Sequence, residues 1–144
     1  MTQLRRVDKL IRRATEMLEQ WSIYARMQCV DHGSGKVSFG SGFRGWGAQA
    51  NHYFIGSAMT LADQLPGSSD AAQLGELAHA ALRYELSTHR TGTRPRADGT
   101  RWGHTWISVL GTERMMQALL PRWARFDPTR GPRSSDWSPA KRTG

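Results

Sequence analysis

The sequence predicts an all-α protein of about four amphipathic helices, arranged as two antiparallel hairpins, with a disordered C-terminal tail. Three observations predict it. Apolar residues recur at spacings of three and four in four separate segments. Gly, Pro and Ser clusters punctuate those segments, and nowhere does an apolar/polar alternation run long enough for a convincing strand.

The first helix spans Leu4 to Met27. Leu4, Val7, Ile11, Ala14, Leu18, Trp21 and Ala25 form its stripe, and Leu10, Met17 and Tyr24 widen it. Arg5, Arg6, Lys9, Arg12 and Arg13 occupy much of the opposite face, with Asp8, Glu16 and Glu19 in reach for pairing one turn away. Asp31 to Gly47 holds six glycines in 17 residues and reads as a loop, with a short extended piece at Lys36 to Phe39. Gly40, Gly42 and Gly45 satisfy G-x-G-x-x-G, but no buried strand precedes them and no βαβ unit surrounds them. Nor is Gly33-Ser34-Gly35-Lys36-Val37 a phosphate loop, because Val37 stands where a hydroxyl should reach magnesium. The segment is better read as a long functional loop presenting Phe39, Phe43, Arg44 and Trp46.

The second helix runs from Ala48 to Leu65 and is stopped by Pro66-Gly67; Gln49, Asn51, His52 and Tyr53 make its first turn polar. Ser68-Ser69-Asp70 caps the third helix, which reaches about Ser87 with Ala71, Leu74, Leu77, Ala78, Ala81, Leu82 and Leu86 as its face. Thr88 to Arg101 is a polar loop carrying Arg90, Arg94, Arg96 and Arg101 against Asp98. The fourth helix spans about His104 to Phe126, weakened at Gly111 and kinked or ended early by Pro121. Residues 1–126 are thus the helical domain, and 127–144, rich in Pro, Ser, Gly and Arg, the disordered basic tail.

Composition narrows the function. A formal charge of +8 favours a polyanionic partner, although all but three of the 20 basic residues are Arg, a bias that genomic base composition alone can produce. The single Cys29 excludes an internal disulfide and a cysteine-based zinc cluster. The five histidines occur without metal-ligand spacing, and no nucleophile motif places Ser, His and Asp together, so neither metal nor cofactor is expected. There is no secretory h-region and no run of about 20 apolar residues, so the expectation is a soluble, cytoplasmic chain without a membrane partner.

What recurs is an indole beside arginines and amides: Trp46 with Arg44, Gln49 and Asn51, then Trp102 and Trp106 with Arg101 and His104. Indole faces stack on sugars or bases while Arg and amides read oxygens, which suits an acidic polysaccharide and equally suits single-stranded nucleic acid. The same tryptophans could instead be core and the arginines solvated. Trp46, Gln49, Asn51, Arg101, Trp102, His104 and Trp106 are the candidate substrate-binding residues.

Arg96 to Met116, RADGTRWGHTWISVLGTERMM, resembles the N-terminal helical part of heparinase II/III-like proteins. Gly40 to Leu61, GSGFRGWGAQANHYFIGSAMTL, resembles the earlier family stretch in which a Gly-rich loop with a Trp-Gly pair leads into a helix. The resemblance implies an incomplete (α/α) toroid, to which the remainder of the ring and a β-sandwich domain would be partners. It implies polysaccharide lyase chemistry: a uronate carboxylate is neutralised, Tyr or His removes the C5 proton, and the 4-linked oxygen leaves. No catalytic position is fixed by it, although Asn51, His52 and His104 lie within the resembling segments. A full toroid needs more helix pairs, so the expectation is a truncated fragment with little or no lyase activity alone. The alternative is a small basic nucleic-acid-binding or phage-like regulatory protein using the first helix and the arginine loop.

Overall fold

The structure, a computed structural model, describes residues 2–40 and 45–125. Along the chain come α1 (Thr2–Met27), β1 (Cys29–Asp31), β2 (Val37–Phe39), α2 (Gly45–Gln64), α3 (Ser69–Thr88), α4 (Trp106–Leu119) and a 3-10 helix (Leu120–Arg125). The molecule is mostly helical, with four α-helices among the described residues. Phe43, Arg44 and the expected tail at 127–144 lie outside them.

An all-helical reading needs one correction, because β1 and β2 form a short antiparallel sheet pairing Cys29 with Phe39, Val30 with Ser38 and Asp31 with Val37. The reversal is built by three successive left-handed residues, Gly33 (φ 74), Ser34 (φ 53) and Gly35 (φ 65). Asp31 Oδ1 accepts the Gly33 amide at 2.8 Å and fixes the turn's start. Val37 and Ser38 are buried, so the expected extended piece is real and finds a partner strand just beyond α1.

α2 lies between α3 and α4 and packs on both, touching α1 more lightly. The core combines Phe54, Ile55, Ala58 and Leu61 of α2 with Leu74, Leu77, Ala78, Ala81 and Leu82 of α3 and Met115, Ala118 and Leu119 of α4. A helix with neighbours on two sides buries more than a single stripe, which is why Asn51 and His52 are enclosed along with its apolar residues. Gly56 brings α4 near: a Cβ there would sit 3.3 Å from the Arg114 carbonyl oxygen. Gly75 faces Ala62 of α2 at 4.0 Å.

α3 begins where the sequence places it. The Ser68 hydroxyl accepts the Ala71 amide at 2.9 Å, and Asp70 lies in the first turn. Its face differs in one place: Leu86 is exposed, and Glu85 takes the interior position. α4 is shorter than the expected His104–Phe126. Gly103 turns the chain with φ 102, the helix starts at Trp106, and a 3-10 segment replaces it around Pro121, which has no amide to donate.

α1 is half engaged. Trp21 reaches Phe39 and Phe54 at ring-centroid distances of 6.1 and 6.0 Å, and Ala25 is buried. Towards the N-terminus, Leu4, Val7, Leu10, Ile11 and Met17 of the same stripe are exposed.

Candidate functional site

The polar centre of the fold lies where α2, α3 and the loop before α4 meet. Asn51, His52, Glu85 and Thr88 are each at 0% exposure. Glu85 Oε1 accepts from Asn51 Nδ2 at 2.6 Å, and Glu85 Oε2 lies 3.3 Å from His52 Nε2. Asn51 Oδ1 accepts the Phe39 amide at 2.7 Å, so this one amide joins β2, α2 and α3. Trp102 closes the cluster from the loop side: its indole N–H donates to the Glu85 carbonyl at 2.9 Å. Its ring stands edge-on between His52 and His89, with centroids 4.5 and 4.6 Å away. Gly111 of α4 completes the enclosure, since a Cβ there would lie 2.3 Å from His52 Nδ1.

The loop that carries Trp102 is tied to itself. Arg90 N donates to the Trp102 carbonyl at 2.8 Å, and Arg101 Nη1 donates to the carbonyls of Gly92 at 2.7 Å and His89 at 3.3 Å. Asp98 accepts both the amide and the hydroxyl of Thr100, at 3.0 and 2.7 Å, and the hydroxyl bond leads in holding its carboxyl below the usual carboxylate range. Arg96 is buried.

A second group surrounds Tyr84. His32 stacks on the Tyr84 ring at 4.2 Å, its Nε2 is 2.8 Å from Ser38 Oγ, and the Arg94 guanidinium carbon lies 5.7 Å from the Tyr84 ring centre. Burial first, then the Arg94 charge, lowers the His32 pKa, with Asp31 opposing. Burial and then the Glu85 carboxylate raise that of Tyr84, against the nearby Arg96 and Arg94.

The outer layer is aromatic. Trp46 opens α2 and Trp106 opens α4; they are 67% and 65% exposed and meet edge to face at 6.3 Å and 89°. Tyr53, half exposed, accepts from Gln49 Nε2 at 2.6 Å. An open cleft of about 650 Å³ lies where the loop enters α4, lined by His89, Trp102, His104, Ser108, Thr112 and Glu113 among others.

The seven candidate residues therefore divide. Trp46, Trp106 and His104 face solvent, and Trp102 reaches the cleft with little exposed surface. Gln49 and Asn51 are interior, and Arg101 is committed to loop carbonyls, so these three shape the scaffold. The sequence reading missed Glu85. Its signal was present: Glu85 falls three, four and seven residues after Leu82, Ala81 and Ala78, on the apolar face itself. His52 has the same signal, four residues after Ala48 and three and seven before Ile55 and Met59, whereas His89 has none. Among the described residues no group of three or more His, Cys, Asp or Glu side chains is gathered as a metal site.

The arrangement thus provides an aromatic surface over a sealed acid–imidazole centre. The exposed indoles can stack on a ligand, while Glu85 and His52 have no surface through which to touch one. Compared with known proteins, the chain matches no family model, no curated protein and no solved structure.

Proposed function

We propose that the chain is a helical piece of a heparinase II/III-like (α/α) toroid that binds acidic, uronate-containing polysaccharide and has no lyase activity by itself. The observation that carries this reading is the exposed, perpendicular Trp46–Trp106 pair, with Trp106 following directly on His104 and Thr105 of the cleft's lining. An indole face offers a flat apolar surface to the C–H groups of a sugar ring, and a net charge of +8 attracts carboxylates along a polymer. The toroid reading is supported by α2 packing on two neighbours, α3 and α4. It is supported also by Val109, Leu110 and Leu120, which are exposed on α4 and its 3-10 extension where the remainder of the ring and a β-sandwich domain would pack. Little or no activity alone is supported by the enclosure of His52 and Glu85, which keeps both from a substrate, while Tyr53 and His104 stay exposed.

The nucleic-acid alternative keeps one favourable observation, the exposed Arg5, Arg6, Lys9, Arg12 and Arg13 of α1. It loses another, because Arg96 and Arg101 are turned into the loop. An eliminase assay on alginate and heparin, read as absorbance of the unsaturated product, tests the inactivity; turnover by the purified chain would overturn it.

A further inference from the structure

The first four turns of α1 are the least engaged part of the fold. Every residue from 4 to 14 is exposed, and the helix meets the body only from about Leu18 onward. At 1.5 Å per residue, the segment Leu4–Met17 stands clear over about 20 Å. Around its axis Leu4, Val7, Leu10, Ile11, Ala14 and Met17 fall within one arc of about 140°. Arg5, Arg6, Lys9, Arg12 and Arg13 occupy the rest, with Asp8 and Glu16 the acids among them.

We propose that this segment is an interfacial helix that lays its apolar arc into an anionic lipid surface, its five cations facing the headgroups. Two features must be satisfied together, and the charge decides the occupant. A second copy of the helix would cover the arc but leave the five cations of each chain in water without a counter-charge. A nucleic acid would neutralise the cations and leave the arc in water. An anionic bilayer surface takes up both, since it offers apolar depth beneath negative headgroups. None of the described helices is long and apolar enough to cross a membrane, so the contact is one of lying on the surface. This inference departs from the sequence expectation of no membrane partner, which rested on the want of a spanning run and did not address a surface mode. It does not depend on the polysaccharide reading.

The test uses the full chain with sedimentable vesicles of phosphatidylcholine, with and without phosphatidylglycerol. The expected result is partition onto the anionic vesicles only. Ile11→Asp should weaken it by tenfold or more, and Arg12→Gln with Arg13→Gln by roughly five-fold per cation. These positions are exposed, so the melting temperature should hardly move, and heparin affinity of Ile11→Asp should stay at the wild-type value. Absence of partition would overturn the proposal, as would partition unaffected by Ile11→Asp, which would reduce the effect to charge. So would a concentration-dependent dimer that Ile11→Asp dissolves while vesicles recruit nothing, which would assign the arc to a second copy.

Discussion

Replacing Gly111 with alanine sets two effects of opposite sign against each other. Inside a helix the change normally stabilises by about 1 kcal/mol, because alanine loses less backbone entropy. At this position the new methyl would lie 2.3 Å from His52 Nδ1, 3.1 Å from His52 Cγ and 3.2 Å from Gln49 Cα. The Gln49 atom is backbone and cannot rotate away. The His52 ring is held by Trp102 at 4.5 Å and Glu85 at 3.3 Å, so it cannot swing freely either. Ordinary contact would require α4 to retreat from α2 by about 1 Å, and overpacking of that kind costs about 1–3 kcal/mol before any loss at the Glu85–His52 contact. The clash therefore wins once the Glu85–His52 contact is disturbed as well, with a net loss of up to about 2 kcal/mol from overpacking and more from that contact. Two glycines supply controls. Gly75→Ala meets only Ala62 Cβ at 4.0 Å and should stabilise by about 0.5–1 kcal/mol. Gly56→Ala meets the Arg114 carbonyl at 3.3 Å and should be close to neutral. Urea unfolding followed by far-UV circular dichroism gives all three values at equal m. A Gly111→Ala protein as stable as wild type, or more so, would refute the enclosure of His52 by α4.

Other consequences follow from the same centre. Glu85→Leu leaves Asn51 and His52 without their acidic partner in a fully enclosed site and should destabilise by about 3–5 kcal/mol, read from the urea midpoint. Acid should weaken the fold through His32 and His79, whose pKa values burial lowers first of all. The folded state then binds these protons less readily than the unfolded chain, so stability is full above the ordinary histidine value of about 6.5 and falls as pH drops through it towards the lowered values. Unfolding midpoints between pH 8 and pH 5 should show that slope, and His32→Gln should reduce it.

The helices were legible because periodicity and punctuation are local. Ser68 as a cap, Pro66-Gly67 as a stop and Pro121 as a terminator act within a turn or two of where they stand. The β-hairpin was half legible, as three-residue strands are too short for an alternation to register. What periodicity cannot say is whether an apolar face is covered. The α1 stripe runs unbroken from Leu4 to Ala25 in the sequence, but only its last part meets Phe39 and Phe54. Of the site, the exposed indoles were visible as residue types, and their meeting at 6.3 Å depended on two helix starts distant in sequence. Arg101 and Asn51 illustrate the opposite case. They are polar groups whose hydrogen-bonding capacity the fold itself consumes, at Gly92 and His89 for the first and at Phe39 and Glu85 for the second.

Tryptophan fluorescence of the purified chain, titrated with heparin, alginate and single-stranded DNA at two salt concentrations, tests the proposed function most directly. The account predicts saturable quenching by a uronate polymer that persists at the higher salt and weakens about five- to tenfold in Trp46→Ala or Trp106→Ala. Equal responses to every polyanion, erased by salt and indifferent to both substitutions, would contradict it, leaving only a basic chain responding to charge.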